Sequence, residues 1–375
     1  MYFSLKQPDA SFATAPQYLS IVKTSEVYFR DLWLEFLNLL PQYSFRYLPA
    51  VIEYYEMLSP KGTKNISFIV KSNNTPVAFC PLFIEEINGR KQASLSDGGY
   101  LPAPLFHFGL SHKQKRTIER LVFEEITNQL SELGASRWLV SADVLSCGTD
   151  ILEDMLPARF GALDVSGQVH IMDLSQPKNE LWSQLRHSAK STINQGLKIY
   201  DFKVYDKSNY SEEIGTRHRL LHHKCAGRIT RPIETFYKMY SWIEEGYGLM
   251  FEHLYQGQTI QMICVVLGKH TAYGASAADD PDFYPKVPLT HSMSYFIFQE
   301  VAKRGVKYYD VGETTFRSNM FHMHSSKEQS ICDFKRGFGR YTLPLKKWIW
   351  FAGANEELFF LNKQMELYKK HLFNN

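Results

Sequence analysis

Two distant stretches of the chain carry the same succession of hydrophobic and polar positions. Residues 66–83 (ISFIVKSNNTPVAFCPLF) hold two apolar, β-rich runs about a polar turn at Ser72–Pro76, which predicts a β-hairpin. From Lys113 to Leu133, Ile118, Leu121, Val122, Ile126, Leu130 and Leu133 recur at helical spacing. Gly134 follows where a left-handed helix cap belongs, and RWLVSA (137–142) then reads as a buried strand. The second half repeats this order. Residues 249–267 predict a hairpin about Gln256–Thr259, and HTAYGASA (270–277) a further strand. A helix from about Pro288 to Arg304, striped by Met293, Phe296, Ile297 and Val301, leads to Gly305 and the strand VKYYDVG (306–312).

Helix, glycine and strand following a hairpin imply a mixed sheet with helices packed on it. The two caps, Gly134 and Gly305, stand about 170 residues apart, roughly one domain length. The pattern therefore predicts an α/β protein made by duplication. Its boundary falls near Asp164–Asp173, where SGQVHIMDL leads into a new helix. This gives domains over residues 1–168 and 169–350, and a terminal piece over 351–375 whose helix is read from the periodicity of Asn355–Leu372.

Composition narrows the class. A chain of 375 residues with 44% apolar and 14% aromatic residues can bury two cores, which excludes a fibre or a disordered tail. The net charge of +3 is too small to imply a nucleic-acid partner by itself. The five cysteines are widely spaced with no CxxC pair, so neither a disulfide framework nor a zinc ribbon is expected, and the compartment is read as reducing and cytoplasmic. The opening residues lack a basic head followed by an apolar stretch, and no run reaches membrane-spanning length. A peripheral association with the envelope is compatible with this.

Four segments carry a resemblance. Residues 169–204 (VHIMDLSQPKNELWSQLRHSAKSTINQGLKIYDFKV) give a strand, DLS, a helix with L-x-x-L-R, a basic residue one turn later and another strand. Residues 221–240 (LHHKCAGRITRPIETFYKMY) give His, then a small-residue Gly-Arg segment, then an aromatic helix. Residues 273–313 give Y-x-x-x-S, Pro, a helix and G-x-x-x-x-D-x-G, and residues 332–339 read CDFKRGFG. In this order and spacing they resemble the Fem-type (FemABX-like) acyl- and aminoacyltransferases of the GNAT superfamily. DGGYLPAPLF at 97–106 is similar to a Gly-Gly-Pro element of the first half. The resemblance implies two tandem GNAT-like domains, each a mixed, mostly antiparallel sheet flanked by helices. It also implies transfer of an acyl or aminoacyl group from an activated, phosphate-bearing donor to an amine. No long charged heptad arm is present, against a cell-wall bridge role, and no Q/R-x-x-G-x-G/A loop marks a coenzyme A site.

Such chemistry needs a positioned donor, a stabilised oxyanion and a proton acceptor, with no obligatory covalent intermediate. The resemblance places the family's functional lysine on Lys335. Beside it stands Arg336, and Gly337 and Gly339 would let backbone approach a ligand; the plainer reading is a surface pair. Arg186 and Lys190, four apart on a helix starting near Lys178, could share one anion or merely be a solvated face. Residues 217–231 hold five Lys or Arg, three His and no acid, so His222, Arg228 and Arg231 are candidates for donor phosphates. An ordinary basic helix is the alternative. Asp310 near a strand end, or Glu313, is a candidate to act as base or orient the amine, and Tyr273 and Ser276 on the preceding strand would lie beside a splayed cleft, Tyr273 polarising a carbonyl. Structural use of each is the competing reading. His322 and His324 have no evident third ligand, so no metal is expected, and residues 314–330 read as a polar loop covering the cleft.

No tightly bound cofactor is implied; acyl-CoA or aminoacyl-tRNA is the co-substrate. The partners are a small or sugar-linked amine and, for the second donor, a tRNA acceptor end. The contrasting class is a catalytically inactive GNAT-fold binding or scaffold protein in envelope polysaccharide or cell-wall biosynthesis. It would show no transfer with any donor.

Overall fold

The computed structural model describes residues 18–146, 160–315, 320–321, 323, 325–338 and 341–373. They divide into two compact units, and the division interleaves along the chain. The first takes residues up to Pro41, Ser59–Val165 and Lys347–Phe360; the second takes Gln42–Leu58, Ser166–Lys346 and the residues from Leu361.

In the first unit β1 (Leu19–Lys23), β3 (Phe68–Ser72), β4 (Thr75–Cys80) and β8 (Leu105–Phe106) form an antiparallel sheet in the order β1-β3-β4-β8; β2 is Lys64–Asn65. The β3–β4 turn is closed by Asn73 at φ 55°. In a second sheet β5 (Phe83–Ile87) pairs β2 and β6 (Arg90–Ala93) antiparallel, while β6 and β7 (Leu101–Pro102) pair β9 (Arg137–Ala142) in parallel. β10 (Leu163–Asp164) pairs the end of β17 (Tyr341–Phe351). The helix His112–Leu133 begins at a Ser111/Gln114 capping box and ends at Gly134, φ 68°. Its buried stripe of Ile118, Val122, Ile126 and Leu130 is the one the periodicity predicted. The 97–106 element is held by an unexpected group: Glu85, fully buried, accepts hydrogen bonds from Ser94 Oγ, Asp97 N (3.0 Å) and Gly98 N (2.8 Å). Ser96, Asp97 and Gly98 all have positive φ, and the carboxylate satisfies the backbone that this turn would otherwise leave unpaired.

The second unit is ordered β12-β13-β14-β15-β16-β11-β17, with β11 Gly167–Asp173, β12 Asp201–Tyr205, β13 Gly248–Tyr255, β14 Gln258–Leu267, β15 Thr271–Asp279 and β16 Tyr308–Thr314. The β15/β16 pair is parallel; the other pairs are antiparallel. Alternate strand residues supply one core: Leu249, Phe251, Ile263, Val265 and Ala272 pack with Met293, Ile297, Phe298 and Val301 of the helix Leu289–Lys303. The helices Glu212–Ala226 and Ile233–Glu244 lie against β13, β14 and β15. The α/β architecture, with mostly antiparallel mixed sheets, is as the sequence implied.

Three expectations change. The consecutive division 1–168, 169–350 and 351–375 gives way to the interleaved one. Residues 42–58 join the second unit because Lys269 N donates to Tyr43 O (3.1 Å), Trp242 Nε1 donates to Ala50 O (3.2 Å), and the Tyr54 and Trp242 rings meet at 5.0 Å. The terminal helix, Ala354–Phe373, is itself shared out at Phe360/Leu361. Residues 314–330 are not a plain loop: Ser325 and Glu328 form a capping box that starts the helix Ser326–Lys335. Residues 316–319, His322 and His324 lie outside the described residues, as do Cys147 and Gly339. Among the described residues no helix is long and apolar enough to cross a membrane.

Candidate functional site

The parallel strands β15 and β16 pair at three positions only, Thr271↔Tyr308, Ala272↔Tyr309 and Tyr273↔Asp310. Beyond Tyr273, β15 continues to Asp279 paired only with β14, and beyond Asp310, β16 continues to Thr314 paired only with β11. Each of those outer pairings is broken by a bulge at this level, between Cys264 and Val265 and between His170 and Ile171. A bulge bends its strand and increases twist, so the two strands part. The edge of β15 from Gly274 onward is then without a strand partner on this side among the described residues. An opening lined by backbone N–H and C=O groups suits an extended ligand.

The functional candidates fall around this opening to different degrees. Asp310 is buried and accepts the N–H of Gly312 at 2.7 Å. It is the third residue of β16, not its end. Gly312 has φ 109°, and a Cβ there would stand 2.7 Å from Lys335 Nζ. This explains the glycine of YYDVGE: it admits a conformation closed to other residues and leaves room for the lysine. Lys335, on the last turn of its helix, donates from Nζ to Glu313 O at 2.9 Å. Arg336 donates to Thr315 O (2.6 Å) and pairs with Asp333 (2.8 Å). It is thereby committed to holding the turn, which qualifies the donor-binding role expected of it. The backbone of Arg186 joins the group through its N–H to Gly337 O at 3.1 Å.

Arg186 and Lys190 do not share one helix face as expected. The chain forms two helices, Lys178–Ser183 and His187–Ile199, and Arg186 is the extended N-cap of the second (ψ 144°). Its side chain is exposed, whereas Lys190 donates back to Ser183 O at 3.3 Å.

Tyr273 stacks on Phe45 with ring centroids 4.8 Å apart and planes 9° from parallel, and the Arg46 guanidinium lies 5.9 Å from its ring centre. Burial of its hydroxyl, then the nearby Tyr55, pushes Tyr273 up to about 12, while Arg46 pulls the other way. At neutral pH it is a hydrogen-bond donor and not a base. Tyr55 is raised too, by burial, with Arg46 lowering and Asp310 raising it. Arg46 and Tyr55 thus lie beside Tyr273, with Tyr55 also near enough to Asp310 to feel its charge, and they come from the 42–58 segment. Sequence reasoning missed both, because nothing local in FRYLPAVIEYY announces a partner more than 200 residues away.

The basic stretch 217–231 is largely tied down. Arg217 pairs with the buried Glu252 (2.8 Å), and Lys224 with Asp280 and Asp282. Arg231, expected to face donor phosphates, instead donates to Tyr54 Oη and lies 4.1 Å over the ring of Phe236. Burial, then Arg231 and His223, lowers His222 from its ordinary value, which disfavours its charged form. Arg228 is exposed beyond Gly227, which caps the helix at φ 66°. Two atoms that sequence reasoning did not single out, Arg219 Nε and His223 Nε2, are buried without a hydrogen-bond partner, as is Ser276 Oγ on the parted stretch of β15. The i, i+4 spacing of Arg219 and His223 was the available signal.

Covalent catalysis through sulfur finds no support nearby. Cys264, opposite Ser276, is fully buried, and burial pushes its thiol up to about 12. Cys80 and Cys332 are also buried, and Cys225 is exposed; all four are free thiols. Among the described residues no three His, Cys, Asp or Glu side chains gather as metal ligands.

The fold and this opening define a class. The chain superposes on a structure described as FemX with a TM-score of 0.65 at 13% identity, covering 91% of this chain and 99% of that one. It superposes on L-PGS from Bacillus licheniformis with a TM-score of 0.55 at 12% identity, covering 89% and 96%. A tandem GNAT protein from the clavulanic acid biosynthesis pathway gives 0.50 at 12% identity, covering 90% and 99%. No family model and no curated protein sequence matches the chain. The chain therefore has the tandem GNAT fold in its Fem-like form.

Proposed function

We propose that the protein is an N-acyltransferase. It moves an acyl or aminoacyl group from acyl-CoA or aminoacyl-tRNA to a small or sugar-linked amine at the opening between β15 and β16. The observation that carries this is the parting of two parallel strands just past Tyr273 and Asp310, with the Lys335 ammonium held against Gly312 at the mouth.

Each requirement of the reaction has a group suited to it. The donor, laid along the free edge of β15, is oriented before reaction, which can lower a bimolecular barrier by roughly 7–11 kcal/mol. As the amine attacks, negative charge collects on the acyl oxygen. Lys335 and the un-ionised Tyr273 hydroxyl are the donors we assign to it. The proton released by the amine goes to Asp310, the bond from the acyl carbon to the donor's sulfur or ester oxygen breaks as the carbonyl re-forms, and coenzyme A or the tRNA end departs with that proton. The phosphates of either co-substrate are assigned to the exposed Arg228 and Arg186, with Arg219 and His223 behind them as side chains whose Nε and Nε2 have no partner in the protein. The free thiols and the activated donors both suit the cytoplasm, and a product destined for the envelope would account for a peripheral association.

The test is direct. The purified chain is incubated with a panel of acyl-CoAs or with charged tRNAs and a set of amines, and products are read by mass spectrometry. An N-acylated amine is expected with one donor class. Absence of product with both, from protein that is folded by circular dichroism, would favour an inactive binding protein.

A further inference from the structure

The first unit carries a charged surface with no part in the opening described above. His112, Lys113, Arg116, Thr117 and Arg120 line one open groove on the first turns of the helix His112–Leu133, and Lys115 stands beside them half-buried. Four permanent cations thus fall within eight residues. The single acid among them, Glu119, is buried under the helix, and the Arg120–Glu124 pair is loose at 3.8 Å with both side chains mostly exposed.

This arrangement costs stability. A helix N-terminus carries a positive partial charge and favours acids, yet the first turn here has none. The helix end is not itself the site, since the Ser111/Gln114 capping box already satisfies its backbone. The cations instead run along the helix: Lys113, Arg116 and Arg120 share a face, offset along the axis by about 4.5 and about 6 Å at 1.5 Å per residue. Those intervals match one to two nucleotide steps of about 3.4 Å each.

We propose that this row binds the phosphate backbone of a nucleic acid, without reading its sequence. The composition of the groove selects that partner over others. A membrane-surface helix needs exposed apolar residues beside its cations, but Leu110 and Ile118 are buried and no large apolar side chain is exposed between Ser111 and Arg120. A protein partner would ordinarily be anchored by an aromatic or aliphatic centre, and this groove has none. With no exposed aromatic ring to stack on a base, the row can neutralise phosphates and do little else. The inference does not rest on the acyl-transfer reading, since it concerns the other unit and is measured by binding alone.

Fluorescence anisotropy with a labelled RNA hairpin and the matching DNA hairpin tests it, with phosphatidylglycerol vesicles as the membrane arm. Three phosphate contacts give a log–log salt slope of about −2.7, so affinity falls roughly 40-fold between about 50 and about 200 mM salt. The triple variant Lys113→Glu, Arg116→Glu, Arg120→Glu is expected to abolish binding while leaving the melting temperature unchanged or higher, because acids suit a helix N-terminus. The variant Lys369→Glu, Lys370→Glu, on the terminal helix, is expected to bind like wild type. Equal affinity for both hairpins supports pure backbone recognition. The proposal is overturned if the triple variant binds as well as wild type. Loss of equal size in the Lys369, Lys370 variant, or capture by vesicles and by neither hairpin, would overturn it too.

Discussion

Replacing Lys335 by Ala is expected to lower kcat/KM for acyl transfer by about 10²–10³-fold, the usual effect of removing one donor to a developing oxyanion. Among the described residues the ammonium is anchored by one backbone acceptor, Glu313 O, and lies against Gly312 at the mouth of the parted strands. Its remaining two protons can turn to a substrate oxygen. The loss should appear in kcat more than in KM, since the contact strengthens as charge develops. Stability should change little, because Lys335 is only half-buried. Gly312→Ala gives an independent check. Its Cβ would fall on Lys335 Nζ at φ 109°, so the same step should be impaired with the lysine still present. Single-turnover kinetics on the two variants measures both effects. A Lys335→Ala enzyme at wild-type rate would remove the residue from the chemistry.

Mild acid is expected to destabilise the second unit from about pH 6.5 downward, before carboxylates begin to protonate. Two fully buried histidines are responsible. His218 sits under the helix Glu212–Ala226 with Nδ1 2.9 Å from Tyr240 Oη; burial, followed by His222 and Arg231, holds it at about 3. His253 lies between the Tyr200 and Phe202 rings, both at 4.6 Å; burial lowers it to about 4, against a smaller opposing effect of Gln261. Both folded-state values lie below the unfolded value of about 6.5. The unfolded chain therefore takes up protons first, and stability falls as pH drops below about 6.5 until the folded values are reached. Each histidine contributes a slope of about 1.4 kcal/mol per pH unit, so about 5 kcal/mol is lost between about pH 6.5 and about pH 4.5. Urea unfolding at a series of pH values, followed by the fluorescence of the buried Trp242, gives the slope directly. His218→Gln, which can still bond to the Tyr240 hydroxyl, should halve it. A flat profile in this window would show that these rings are protonated in the fold.

What could be read from the sequence was what local physics determines. The left-handed caps at Gly134 and Gly305 (φ 68° and 81°) and the helix start after Pro288 stand where the pattern put them, since cap and turn residues act on their neighbours. The break between Lys178–Ser183 and His187–Ile199 was invisible because no Gly or Pro marks Gln184–Arg186. The helix Ser326–Lys335 was hidden for a different reason: Cys332 is its single fully buried residue, so it shows no apolar stripe, although Ser325 and Glu328 were readable as a capping box. The site was legible as a set of polar residue types and not as an arrangement. Arg231 looked free until Tyr54, 177 residues away, was seen beside it. Arg46 and Tyr55 come beside Tyr273 only because Tyr43, Ala50 and Tyr54 pack within the second unit, and no periodicity encodes such a contact.

Hydrogen–deuterium exchange read by mass spectrometry, with acyl-CoA or a charged tRNA added, reports where an activated donor lies. The account predicts protection of residues 273–277, 310–314 and 333–338, with weaker protection of the same peptides in Lys335→Ala. Protection confined to other segments, with these three exchanging as in the free protein, would contradict it.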